Sequence, residues 1–260
     1  MESPANASTS VTYAALRRGI SENRLAAFSL DTDHDSVAAV SRYMWDLTLA
    51  ASFVPTLHLL ELTFRNAIYE GGVQSTAGLN LSFGTPHCWL DTTPSLLMPR
   101  EKLIVDEAKQ RRGARRQTAG HLIAELSFGF WVRLCDAPYE HGRKSGPSLW
   151  PGVSRSFPGA PKQHRNRAAI RAEFGQLRDI RNRVAHHKPI WDQNPVELHE
   201  RLRNGIAWLN PPLANAAGEA SRTRLVFDAG PEVFRDEAAR LVVVSPRREP
   251  SSAVDSRSGA

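Results

Sequence analysis

The residues able to do chemistry concentrate in one stretch, QLRDIRNRVAHHKPIW at positions 176–191. It sets Arg181, Asn182 and the adjacent His186 and His187 at the end of an amphipathic pattern, followed by Pro189 and Trp191. Histidine exchanges protons near neutral pH. Arginine binds phosphate and stabilises charge developing at phosphorus. Asn182 can orient an imidazole or a ribose hydroxyl, and Arg178, Arg183 and Lys188 add positive charge for an RNA backbone. This combination suits phosphodiester chemistry on RNA. The clustered carboxylates of a two-metal nuclease are missing from the stretch, so neither a metal nor another cofactor is expected. The plainer alternative is a basic, solvated helix end whose histidines cap carbonyls.

Ile170, Phe174, Leu177, Ile180 and Val184 recur at steps of three or four, the stripe of a buried helix face. His186 lies four residues beyond Asn182, so those two side chains can meet. Arg181 and His186 are five apart. At about 100° per residue that points them some 140° apart on an ideal helix. They converge only if the helix distorts near its end or if a second copy of the chain completes the site. Pro189 disfavours helical geometry at Lys188, so a helix over roughly 164–187 should stop just past His187. His186 then sits at a helix C-terminus, where the dipole favours a cation.

The elements that must position this stretch read as helices. Residues 13–28 carry a short helical pattern, and 31–35 form an acidic loop. The region 36–70 is strongly helical, cut in two by Pro55 and stopped by Gly71 and Gly72. Residues 73–97 and 136–162 are rich in turn formers and read as irregular. Helices are expected near 100–110, from a Thr118 cap through HLIAELSFGFWVRLC, and over 195–209. In the last segment RLVFDAG and LVVVS suggest strands. The reading is a disordered N-terminus over 1–11, an all-α domain over 12–210, and an accessory tail over 211–260 that is partly disordered.

Composition bounds the rest. The 260 residues carry a formal charge of +6, which favours an anionic partner. Of 33 basic residues 28 are Arg, which fits phosphate binding or a codon bias equally. Cys88 and Cys135 are too few for a disulfide framework, and neither they nor His87, His121 and His141 have zinc-ligand spacing. With no secretory pattern at the start and no uninterrupted apolar run of about 18 residues, a cytoplasmic protein without a membrane span is expected. Arg111, Arg112, Arg115 and Arg116 form a dense positive run, either a solvated loop or a contact to phosphates. His164, Arg165 and Arg167 open the motif helix and could join the same field. Glu61 and Arg65 read as an i, i+4 ion pair. Trp45 and Trp131 lie in apolar patterns and read as core.

The segment Arg181 to His186 matches the R-x4-H signature of HEPN ribonucleases. The chain also resembles the Abi-like (AbiD/AbiF) family of bacterial abortive-infection proteins. Four blocks occur in the family's order over roughly 12–208: ISENRLAAF, LLELTFRNAIYE, AELSFGFWVRL and LRDIRNRVAHHKPIW. The chain departs from the family in ending KPIWD, which puts Asp192 in a usual Asn position. The resemblance implies a HEPN-type helical bundle that dimerises through its motif helices and cleaves RNA without metal. It implies Arg181 and His186 as catalytic, with Asn182 and His187 assisting, and Glu61 or Arg65 buttressing the site. It also implies a defence or toxin–antitoxin effector held by a small structured RNA or by a protein antitoxin. The competing expectation is a non-catalytic HEPN protein that binds RNA or acts as a scaffold.

Overall fold

The computed structural model describes residues 13–29, 36–112, 118–141 and 148–242. The N-terminal disorder, the acidic loop at 31–35, and Arg115 and Arg116 fall outside them, as does the chain beyond 242; of Arg112 only the backbone is described. The expected all-α class holds. Helices run in the order α1 (Tyr13–Ile20), α2 (Glu22–Ala26), α3 (Ser36–Thr76), α4 (Pro99–Arg112), α5 (Ala119–Glu125), α6 (Phe128–Arg133) and α7 (Pro138–His141). They continue as α8 (Trp150–Val153), α9 (Arg167–Ala185), α10 (Pro195–Leu209), α11 (Pro211–Ala220), α12 (Thr223–Ala229) and α13 (Arg235–Leu241). Among the described residues the only sheet is a two-stranded antiparallel ribbon, Ser82–Phe83 against Thr92–Thr93.

Several boundaries differ from those read in the sequence. α3 is one helix of 41 residues that runs through Pro55. The ring removes one backbone hydrogen bond, and burial of Leu49, Phe53, Leu57 and Leu60 on either side outweighs that loss. Gly71 and Gly72 do not stop the helix. A Cβ on Gly71 would lie 2.7 Å from the Val153 Cα, and one on Gly152 would lie 2.0 Å from the Gly71 carbonyl oxygen. These glycines let α3 and α8 cross at backbone contact. The helix expected beyond Thr118 is two helices, because Ser127 caps α6 by accepting from the Phe130 amide. RLVFDAG lies almost wholly in the helix α12, and Asn210 both ends α10 and caps α11.

The chain forms two compact units, Met1–Leu47 with Ala229–Ala260, and Thr48–Asp228. This partition differs from the composition boundary at 210 and puts α11 with the motif. In the first unit Val40, Ala238 and Val242 pack with Leu16, Val37 and Met44. Phe28 stands edge-on to Tyr43 there, and the Ser41 hydroxyl donates to the Pro231 carbonyl.

In the second unit the core is aromatic. Phe64 of α3 stacks on Phe174 of α9 with centroids 4.3 Å apart, and Phe128 and Phe157 meet this pair. Gly205 of α10 has Leu177 against it, where a Cβ would come within 2.3 Å of the leucine Cδ1. Trp131 is buried, as its pattern implied. By length and composition alone α3 is apolar enough to cross a membrane, although its apolar residues form no uninterrupted run of about 18. In this structure its residues Phe53, Leu60, Phe64 and Ile68 are fully buried by protein.

Two outcomes follow from this packing. Gly152→Ala should destabilise the chain by about 1–3 kcal/mol, because a backbone carbonyl cannot swing aside as a side chain can. Gly120→Ala, with nothing within 4 Å of the new Cβ, should be neutral or stabilising by up to about 1 kcal/mol. Urea unfolding of both variants measures the contrast. The second concerns His199, buried with its Nε2 hydrogen-bonded to the Thr56 hydroxyl at 2.8 Å and its ring edge-on to Phe53. Burial lowers its pKa below the ordinary histidine value, Glu200 opposes this and Arg203 adds to it. Below about pH 6.5 the unfolded chain therefore binds a proton that the folded chain refuses, so stability falls as pH drops, by at most about 1.4 kcal/mol per unit. His199→Gln should flatten the profile between pH 7 and 5; an unchanged slope would contradict the assignment.

Candidate functional site

The motif helix α9 has defined ends. Asn166 caps its start, its side-chain oxygen accepting from the Ala169 amide at 2.9 Å. The helix begins later than expected, so His164 and Arg165 lie off it. His164 stacks on Trp208, and Arg165 donates to the Ala160 and Pro158 carbonyls. Arg167 is engaged by Glu140 at 2.6 Å. Arg165 and Arg167 are thus engaged by the fold, and the His164 ring lies flat against Trp208.

At the other end His186 is the cap residue and His187 takes a left-handed conformation, φ 54°. The Lys188 amide donates to the Arg183 carbonyl and the His187 amide to the Val184 carbonyl, both at 3.0 Å. That is the paired closure of a Schellman motif, in which glycine usually fills the left-handed position. His187 fills it here, and Pro189 follows three residues after the cap. The closure fixes the backbone of His186 and leaves the imidazoles of His186 and His187 exposed, with no hydrogen-bond partner among the described residues.

Arg181 points away from His186. Its Nε donates to Glu61 Oε1 of α3 at 2.6 Å, and it makes a long hydrogen bond of 3.3 Å to the Asn182 side chain. The local pairing of Glu61 with Arg65 is thus replaced by a tertiary one, and the Arg65 Nε is buried without a hydrogen bond. Glu61, Arg65 and Arg181 line a cavity of about 350 Å³ with His58, floored by Leu57 and Val184. Asn182 engages Arg181 rather than His186, correcting the expected i, i+4 contact.

His186 opens on a second cavity, of about 550 Å³, together with Asn182, Arg183 and Lys188. The sequence singled out these four. Gln176, Asp179 and Gln193 line it too, and they were missed because an amide or a lone Asp on an exposed helix face carries no motif. Arg183 donates through Nε to the Pro189 carbonyl at 2.8 Å, which leaves its outer nitrogens available. Arg181 and His186 therefore line different cavities on one chain. The helix stays regular through Ala185, so the angular separation is not removed by distortion.

The other basic candidates are dispersed. Arg178 is paired with the neighbouring Asp179 at 2.7 Å, and Arg111 with Glu125 at 3.6 Å, both near solvent. Burial pushes the Cys135 thiol up to about 12, so it is no nucleophile. Among the described residues no three of His, Cys, Asp and Glu are grouped to hold a metal ion.

No family model, curated protein or solved structure matches this chain.

The left-handed His187 gives a direct test of the helix closure. His187→Gly should stabilise the chain by about 0.5–1 kcal/mol, the relief of the Cβ strain less the added freedom of the unfolded chain. A urea midpoint that falls instead would show that the imidazole contributes more than its backbone costs.

Proposed function

We propose that this protein is a metal-independent HEPN-type endoribonuclease of the Abi-like kind, a phage-defence or toxin–antitoxin effector. Support comes from the four sequence blocks in family order and from the all-α fold. The observation that carries it is the gathering of Asn182, Arg183, His186 and Lys188 on one cavity at a fixed helix end, one residue from Arg181. Each group has a task in phosphodiester cleavage. His186 takes the proton of a ribose 2′-hydroxyl, the 2′ oxygen bonds to the adjacent phosphorus, and the bond from phosphorus to the 5′ oxygen breaks. The leaving oxygen takes a proton from water and the imidazolium returns its own to solvent. The products are a 2′,3′-cyclic phosphate and a 5′-hydroxyl. Arg181 stabilises the charge on the phosphoryl oxygens, and Arg183 and Lys188 hold the flanking backbone.

Because Arg181 and His186 line different cavities, the reading requires a symmetric dimer in which the partner's Arg181 serves this chain's His186. Glu61 holds Arg181 extended until the phosphate arrives. A small structured RNA would restrain the toxin through the same basic cavity. One observation favours a second reading, a non-catalytic RNA-binding protein: Arg181 is already engaged by a carboxylate.

Mixing variants decides between them. Arg181→Ala and His186→Ala should each lower RNA cleavage in EDTA by about 10²–10⁴-fold. Co-refolding the two should restore roughly a quarter of wild-type activity, since half the dimers then carry one intact composite site. No recovery on mixing would sink the shared site. Wild type that cuts no RNA would sink the enzyme.

A further inference from the structure

The cavity beside His186 contains a group that phosphate binding does not explain. Asp179 lines it, among Arg183, Lys188 and His186. A carboxylate repels a phosphodiester, so a surface shaped only for the backbone would not place one there. Nor is Asp179 used up by its ion pair. Arg178 donates through both Nε and an outer nitrogen, at 3.0 and 2.7 Å, to Oδ1 alone. Oδ2 is left without a partner among the described residues, and Arg178 itself does not line the cavity.

Arg201 also lines the cavity, held by Glu173, and the remaining lining suits a nucleobase. Gln176, Asn182 and Gln193 present carboxamides, the side chains that pair with base edges. The side-chain carboxamides of Gln176 and Gln193 have no hydrogen-bond partner among the described residues. Ile180 and Leu198 supply apolar surface against which a ring can lie. A volume of about 550 Å³ falls within the roughly 300–1,000 Å³ of small-ligand sites. Single-stranded RNA is read in this way, by hydrogen bonds to splayed bases.

We propose that this cavity is a base-reading subsite for a single-stranded nucleotide bearing an exocyclic amine, with Asp179 Oδ2 as the acceptor that selects it. The choice of RNA as ligand rests on the reading under Proposed function. Cytosine, adenine and guanine each offer an amine to a carboxylate, whereas uracil places its O4 carbonyl where cytosine has its amine, so that position faces Oδ2 unfavourably and only the ring N3–H remains to donate. The site then favours cutting beside an amine-bearing base, with Arg183 and Lys188 on its phosphate and His186 at the neighbouring ribose.

Cytidine and uridine differ at this edge alone, and they isolate the claim. Short 2′-O-methyl oligocytidylate and oligouridylate of equal length cannot be cleaved by 2′-hydroxyl attack. Their affinities for the full chain are compared by fluorescence anisotropy at one salt concentration, where backbone attraction is common to both. Oligocytidylate should bind about tenfold tighter, the discrimination of one good edge contact. Asp179→Asn should bring the two to near parity, mainly by loosening cytidylate, because an amide can serve either edge. Equal affinities in the wild type, or a gap that survives Asp179→Asn, would overturn the proposal. Failure of the nuclease reading looks different: wild type would cleave no unmodified RNA yet keep its preference for cytidylate.

Discussion

The antiparallel crossing of α3 and α9 is the constraint on which the rest of the second unit depends. It is held at two levels. In the core Phe64 stacks on Phe174, and both rings are fully buried. Near the surface Glu61 reaches Arg181. The stack contributes the energy, since aromatic pairs add about 0.5–1.5 kcal/mol to the burial of their area. The ion pair, with both side chains about a third exposed, contributes about 1 kcal/mol or less and instead fixes where the guanidinium points. A buried contact sets the position of the motif helix, and a half-exposed one sets the direction of its functional group.

Around this crossing the approach distances are set by glycine. Gly205 admits Leu177 between α9 and α10, and the Gly71–Gly152 contact brings α8 onto the far end of α3. Helices this close leave no room for adjustment by backbone shift. The length of α3 follows from the same packing: its two halves bury residues in one continuous row, and a break at Pro55 would separate them.

What the sequence disclosed and what it hid divide along the range of the interactions. The stripe from Ile170 to Val184 and the span Pro195–Leu209 were legible because periodicity and capping act within a few residues. The stop near Pro189 was legible for the same reason. The Schellman closure was not, since its left-handed position holds His187 and the usual signal is glycine. Glu61 offered two partners. Spacing favoured Arg65, and only the crossing with α9 reveals Arg181. RLVFDAG is a short apolar run, and such runs fit a strand or a buried helix equally until their neighbours are known. His186 and the three groups beside it were visible in the sequence as chemistry. Asp179, Gln176 and Gln193 were not, because their meaning comes from the cavity they share.

The net charge of +6 says less about binding than the division of the arginines does. Arg133, Arg167, Arg171 and Arg201 each meet a carboxylate, and they tie α6 and α9 to their neighbours and α10 to α9. Buried Glu101 accepts hydrogen bonds from Arg133 and from the Tyr139 hydroxyl. Such cations are structural, and an RNA could recruit them only by breaking the fold's own pairs. Among the described residues the cations beside α9 without a carboxylate partner are Arg65, which shares the other cavity with Arg181, and Lys188 and the outer nitrogens of Arg183. Lys188 and Arg183 lie on the cavity that His186 opens into. Positive charge that the fold does not use thus collects at the same helix end as the unpaired imidazole. That coincidence, more than the overall basicity, makes the end of α9 the place where this chain would meet an anion.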